Sequence, residues 1–295
     1  MISVIWVYYI VIYNLSSMKT LVIGANGFLG RHLVKKCLDM GWIVDCIYHK
    51  NKNFIPKVCK SFPVDNLAKL KDSYDAIFLL SAFIPENESE VMLDKRLLDV
   101  NIKIPLRVIN HFKRSRIIFS SSTSVYGTQS SVIFENSSFN DPDNYALSKL
   151  AAEFILKFSA NYQIMRFSSI YGSGMTHKTF IPKLLEQAKK SNKLTLFGNG
   201  SRLQNYIYVE DAVGYLMATV NQKKPGIYLG VSHKSYSNTN VAKVIQKFIP
   251  GCKIQYLGED KSSSFVYNNL STKKRLKYNP KYSLEEGIDK ILKDD

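Results

Sequence analysis

Residues 19–34 read KTLVIGANGFLGRHLV, and their order constrains the fold more than any other stretch of the chain. A short β-branched run ends at Gly24, glycines follow at 27 and 30, and a helical pattern begins at Phe28. Glycine directly after a strand permits a tight turn; a second lets backbone approach a pyrophosphate, and a third lets the helix pack close to the sheet. A phosphate then sits at the helix N-terminus, where unpaired N–H groups and the dipole favour negative charge. The spacing is GxxGxxG, for which plain turn chemistry is the bland alternative. Strand before and helix after argue for a dinucleotide site, with Gly24, Asn26, Gly27, Phe28, Leu29 and Gly30 as cofactor contacts.

Apolar runs recur at Thr20–Gly24, Ile43–Tyr48, Ala76–Leu80, Arg116–Ser120 and Gln163–Phe167, with helical patterns at Phe28–Met40 and Leu93–Phe112 between them. This β-α-β-α order predicts an α/β fold, a Rossmann-type doubly wound parallel sheet covered by helices on both faces. Beyond about residue 170 shorter strands mix with helices. That change predicts a smaller mixed α/β substrate lobe, 171–295, interleaved with a dinucleotide-binding domain, 18–170. Residues 1–17, MISVIWVYYIVIYNLSS, are apolar and uncharged. They are short for a membrane span and lack the basic flank of a signal peptide, so they read as a leader outside the fold, with a weak membrane or partner contact as the alternative.

Of the 295 residues 45% are hydrophobic, enough for a sizeable core, and the net charge is +16, spread along the chain. Such a surface can attract nucleic acid, anionic membrane or phosphorylated small molecules; with no basic tail, a lysine-rich solvated surface and a phosphorylated small molecule are the readings kept. Nucleic acid and membrane are not expected partners, and no metal site is expected. The four cysteines show no CxxC spacing and read as reduced thiols of a cytoplasmic protein.

After the second strand a dinucleotide site chooses its cofactor: an acid there bonds the ribose 2′-hydroxyl of NAD, and basic groups accept the 2′-phosphate of NADP. The sequence offers Tyr48, His49 and Lys50 and no acid, so His49 and Lys50 point to NADP, with NAD left open. Asp65, after the next strand, is placed to meet the adenine or to cap a helix.

Two further segments carry chemistry. IIFSSSTSVYG (117–127) closes a strand, and NYALSKLAAEF (144–154) opens a helix. Tyr145 and Lys149 stand at i and i+4 and share one helix face. A lysine beside a tyrosine favours the phenolate, and a serine hydroxyl, Ser122, can orient a carbonyl oxygen beside it.

These segments together resemble the extended short-chain dehydrogenase/reductases, the NAD(P)-dependent nucleotide-sugar epimerase/dehydratase/reductase family. GANGFLG is similar to its glycine motif, SSSTSVYG to its SS[ST]xxVYG, YALSK to YxxxK, and LFGNGSRLQNYIYVEDAV to a segment of its substrate lobe. The resemblance implies Ser122, Tyr145 and Lys149 as catalytic residues, Asn101 of VNIKIP near the cofactor, and a nucleotide-diphosphate sugar as substrate, with a homodimer left open. It also exposes departures. Ser169 stands where the family has a substrate-side asparagine, and Gln204 where it has an arginine. Arg202, two residues earlier, is a candidate replacement or a solvated side chain.

The dehydratase branch carries an Asp-Glu pair after its catalytic hydroxyl, where this chain has Thr123-Ser124. That speaks against a dehydratase, and the lean to NADP with the altered arginine pattern of the substrate lobe sets the expectation: reduction by NAD(P)H of a nucleotide-linked 4-keto-6-deoxyhexose at carbon 4, in deoxysugar synthesis for surface polysaccharide. A nucleotide-sugar 4-epimerase with tightly bound NAD is the alternative. A non-catalytic NADP-binding or RNA-associated protein is a third class, against which the Ser122–Tyr145–Lys149 set speaks.

Overall fold

The computed structural model describes residues 18–85, 94–176 and 179–294, so the leader reading falls on residues outside those described. Seven parallel strands form the large sheet: β1 (Lys19–Ile23), β2 (Ile43–Tyr48), β3 (Lys60–Pro63), β4 (Ala76–Leu79), β5 (Arg116–Ser122), β6 (Tyr162–Phe167) and β10 (Gly226–Gly230). Their order is β10-β6-β5-β4-β1-β2-β3. The sheet runs outward from β1 in both directions, which is the doubly wound topology, with its crevice at the carboxyl ends of β1 and β4.

The central strands are buried on both faces, which is why β1, β4 and β5 carry continuous apolar runs instead of alternating. Helices α1 (Phe28–Asp39), α2 (Ile104–His111) and α3 (Asn144–Leu156) follow β1, β4 and β5. Val22, Phe78 and Ile118 face Leu33, Val34 and Cys37 of α1. Leu21, Ile23, Ile77 and Phe119 face Val108 and Ile109 of α2 and Ala152 and Leu156 of α3. Each such Val, Leu, Ile or Phe side chain, fully buried, contributes about 1.5–3 kcal/mol.

The smaller lobe starts at β7 (Ser169–Tyr171) and continues through α4 (Phe180–Ser191), β8 (Lys193–Phe197) and β9 (Leu203–Tyr208). The chain then returns: α5 (Val209–Thr219) packs beside α1, and β10 pairs with β6. It leaves again through β11 (Ser235–Ser237), α6 (Asn238–Phe248), β12 (Lys253–Leu257), α7 (Leu270–Leu276) and α8 (Leu284–Asp294). Strands β11, β9 and β7 form one small sheet and β12 and β8 another, around a separate core that includes Leu184, Leu196, Val241 and Ile288.

The helical pattern read from residue 93 onward resolves differently. Residues Leu97–Lys103 wind as a π-helix before α2 begins. Pro105 has no N–H to give the Asn101 carbonyl, so the ordinary i→i−4 ladder cannot close there. Strands β3, β7 and β11 have three or four residues each, too few to show a period in sequence. All four cysteines are buried free thiols, and among the described residues no helix is long and apolar enough to cross a membrane.

Candidate active site

A cleft of about 970 Å³ opens at the carboxyl ends of the large sheet, between the two lobes. Pockets for ligands run to about 1,000 Å³, so this one is at the roomy end.

Its first wall is the glycine turn. Gly24 has φ +89°, and a Cβ there would lie 2.7 Å from the Ser81 backbone nitrogen. A Cβ on Gly30 would run into the Gly24 carbonyl. Helix α1 therefore starts hard against the turn. Its N-cap is Gly27, with no side chain to engage the first N–H groups, and these face the cleft at Phe28, Leu29 and Gly30. That is a cradle fitted to a pyrophosphate. Asn26 also lines the cleft, but its amide is used locally: Nδ2 donates to Asn51 Oδ1 (2.6 Å) and Oδ1 accepts from Phe54 N (2.8 Å), tying the turn to the loop after β2.

Tyr48, His49, Lys50 and Asn51 line the adjoining wall. Asp65 does not. It sits exposed in the 3₁₀ turn Val64–Lys69, where its neighbour Val64 faces the cleft and Pro63 occupies the cap. The cap role considered for Asp65 is therefore corrected. Asn101 does not line the cleft either. It is 2% exposed, its Oδ1 accepts from Phe83 N (2.7 Å), and its Nδ2 donates to Phe83 O (3.0 Å) and Ser148 Oγ (2.9 Å). The π-helix turns this amide inward as a clamp between the loop after β4 and α3.

Ser122, Tyr145 and Lys149 all open onto the cleft. Ser122 ends β5, and its Oγ accepts from both Ser124 N (3.1 Å) and Ser124 Oγ (2.8 Å). Asp143 caps α3 through Ala146 N (2.7 Å), which sets Tyr145 in the first turn and Lys149 in the next. Lys149 is 2% exposed and donates to the Ser120 carbonyl (2.7 Å). Burial pulls its pKa down to about 7, against the opposing charge of Glu153. Burial pushes the Tyr145 phenol up, and Asp143 adds to that.

Ser169 and Gln204 line the sugar-side wall, and Gln204 Oε1 accepts from the Tyr206 hydroxyl (2.6 Å). Arg202 opens instead onto a second, shallower cavity of about 820 Å³ with Lys261, and its Nε donates to the Ser263 carbonyl (3.1 Å). The expectation that Arg202 could stand in at Gln204's face is corrected. Arg202 precedes β9, so strand alternation does not reach it.

Further residues shape the site and its rim. Tyr267 donates to Thr123 Oγ1 (3.1 Å) and, with Phe265, brings the C-terminal segment to the wall beside Ser122. Asn205, 4% exposed, accepts from Ser168 Oγ (2.7 Å) and Ser232 N (2.9 Å) beneath Ser169. Helix α1 reaches across to the loop after β7, Arg31 donating to the Gly174 carbonyl and His32 Nε2 bonding that of Ser173 (3.2 Å).

The profile of the NAD dependent epimerase/dehydratase family matches residues 20–229. The chain belongs to that family. Relatives within it span nearly its whole length. An uncharacterized UDP-glucose epimerase, YtcB, of Bacillus subtilis is 27% identical, the alignment covering 92% of this chain and 96% of the relative. Among solved structures, MoeE5 in complex with UDP-glucuronic acid and NAD superposes with a TM-score of 0.81 at 23% identity, covering 93% of this chain and 98% of that one. UDP-glucuronic acid 4-epimerase from Bacillus cereus, with the same two ligands, gives 0.81 at 21% identity, covering 94% and 98%. These structures establish the fold, and the family is one of NAD-dependent nucleotide-sugar enzymes.

Proposed function

We propose that this chain is a nucleotide-sugar 4-epimerase that works with NAD. The observation that carries the reading is one cleft shared by the glycine turn and by Ser122, Tyr145 and Lys149, with hydroxyls at 123 and 124 in place of carboxylates. The relatives' names favour this over the reductase expected from sequence. NAD, when bound, supplies a hydride acceptor and donor for carbon 4 of the sugar. Tyr145 takes the proton of the 4-hydroxyl and later returns it. Both lone pairs of Ser122 Oγ are filled by Ser124, so its own proton is left to donate to the sugar oxygen. Lys149, titrating near 7, is substantially protonated at neutral pH and supports the phenolate. Ser169 and Gln204 face the nucleotide sugar, in a cytoplasmic enzyme.

A second reading rests on His49 and Lys50. At the wall after β2 the cleft has these two side chains and, among the described residues, no carboxylate. That favours NADP, a cofactor exchanged at every turnover, and reduction of a 4-keto-6-deoxy sugar nucleotide.

One experiment separates them. The purified protein is given UDP-glucose, UDP-galactose and UDP-glucuronic acid without added cofactor, and products are followed by NMR. In parallel, NADPH oxidation is followed with a 4-keto-6-deoxy sugar nucleotide. Cofactor-free interconversion at carbon 4 supports the epimerase; stoichiometric NADPH oxidation without interconversion replaces it with the reductase.

A further inference from the structure

The end of β5 and helix α3 are joined by two successive bonds. Lys149 Nζ donates to the Ser120 carbonyl (2.7 Å), and one residue on, Ser121 Oγ donates to Glu153 Oε1 (2.5 Å). Ser122 comes next on the strand. On the helix, Tyr145, Lys149 and Glu153 fall at successive four-residue steps along one face.

Glu153 is held in turn by Arg166 of β6, which pairs in register with Ser121. Arg166 Nε donates to Oε1 (2.9 Å) and Nη2 to Oε2 (2.6 Å), while Nη1 reaches the Tyr126 hydroxyl (2.8 Å) and the Glu135 carbonyl (3.1 Å). The two side chains are 3% and 2% exposed. A buried ion pair is poor glue, since apolar side chains of similar volume hold helix to sheet as well or better. Its retention here needs another reason, and Lys149 supplies one.

The groups around Lys149 are few. On its own helix are Tyr145 and Glu153. From β5 come the Ser120 carbonyl and the Phe119 ring, whose centroid is 4.6 Å from Nζ. From the π-helix comes the neutral amide of Asn101, bonded to Ser148, while Asp99 and Lys103 pair with each other on the surface. From the 3₁₀ turn after β5 comes Tyr126, engaged with Arg166. Glu153 is thus the carboxylate that faces this ammonium among these elements.

We propose that Glu153, locked by Arg166, is a positioning residue for the reacting pair: it fixes α3 against the end of β5 and sets a buried negative charge one turn from the Lys149 ammonium. The proposal rests on the reading of Ser122, Tyr145 and Lys149 given above. Burial lowers the Lys149 pKa, and Glu153 opposes that. Without it the Tyr145 phenolate loses its counter-charge.

The test compares Glu153→Gln, which strands Arg166, with Glu153→Leu/Arg166→Met, which removes both charges and keeps apolar volume. Melting temperature, cofactor affinity by fluorescence and kcat against pH are measured. Lys149 is also titrated directly, by pH-dependent amine labelling read by mass spectrometry. In the double variant, melting temperature, cofactor Kd and KM are expected to stay near wild type. Its kcat at pH 7 should fall at least about tenfold, toward the loss expected for a disarmed acid–base group, and Lys149 should titrate at lower pH. A double variant that loses the fold, or that keeps the wild-type kcat profile and Lys149 titration, overturns the proposal and leaves the pair a structural staple. The labelling needs no turnover. A wild type inactive on every sugar nucleotide would therefore sink the functional reading while the Lys149 titration still decides the role of Glu153.

Discussion

The two ends of the cleft are built from different materials. The cofactor end is mostly backbone: the turn at Gly24, the contact of Gly30 with the Gly24 carbonyl, and the open N–H groups of α1. The sugar end is side chains delivered by separate segments: Ser169 from β7, Gln204 from β9, Phe265 and Tyr267 from the stretch before α7. A backbone site depends on where glycine permits close approach, and it tolerates change elsewhere. A side-chain site can be rewritten one residue at a time while the fold stays the same. This difference shows how one fold can keep its cofactor and vary its sugar.

Perturbations that respect or cross this division test it. Tyr145→Phe, at the junction, is expected to lower turnover by about 10²–10⁴-fold, the range for a positioned acid–base group. Cofactor affinity by fluorescence titration should barely move. A parallel loss of cofactor binding would mean that the phenol belongs to the backbone end after all. Gly30→Ala should weaken the cofactor by more than about tenfold and cost about 1–3 kcal/mol of stability, as overpacking does. Sugar-nucleotide binding, measured by calorimetry, should survive; its loss would erase the distinction between the ends.

Replacing His49 and Lys50 by alanine removes charge-assisted bonds of roughly 1.5–3 kcal/mol each if a 2′-phosphate is held there. NADP should weaken roughly ten- to a hundredfold relative to NAD for each such bond lost, and equal weakening of both would remove the case for NADP. Lys149 yields a stability measurement. Its folded pKa, about 7, lies below the ordinary lysine value near 10.4, so between those pH values the unfolded chain holds a proton that the folded chain lacks. Stability from this residue therefore rises with pH across that window, by at most about 1.4 kcal/mol per unit, and is flat below it. Thermal melts at pH 6.5 to 9.5 should show wild type gaining on Lys149→Met; parallel curves would remove the burial argument. The smallest effect is expected at the sugar end, where Gln204→Arg adds a cation facing the substrate. KM for a sugar nucleotide should fall a fewfold, with an upper limit of about tenfold set by one exposed ion pair of up to 1 kcal/mol or slightly more.

The same division explains what could be read in the sequence. Gly24, Gly27 and Gly30, and the Tyr145–Lys149 spacing, are local: a turn and a helix fix their geometry within a few residues. So is the doubly wound sheet, since its apolar runs need no partner to be recognised. Asn205 and Thr123 matter through Ser232 and Tyr267, 27 and 144 residues away, and no local pattern announces such pairs. Asn101 enters only by its likeness to the family's asparagine, and its inward clamp on Phe83 and Ser148 depends on residues 18 and 47 positions away. The choice between the two readings of Arg202 is not local either, because it sits just before β9 and opens onto the second cavity beside Lys261.

The return of the chain to form β10 also bears on how the protein is made. Strand β6 is complete at Phe167, but the neighbour that covers its open edge begins at Gly226. At roughly 5–20 residues per second of synthesis, that edge waits for seconds beside a ribosome, with a row of unpaired amides and an apolar surface. Translation stalled in this interval would release a chain primed to aggregate, so nascent-chain chaperones would find their binding site here.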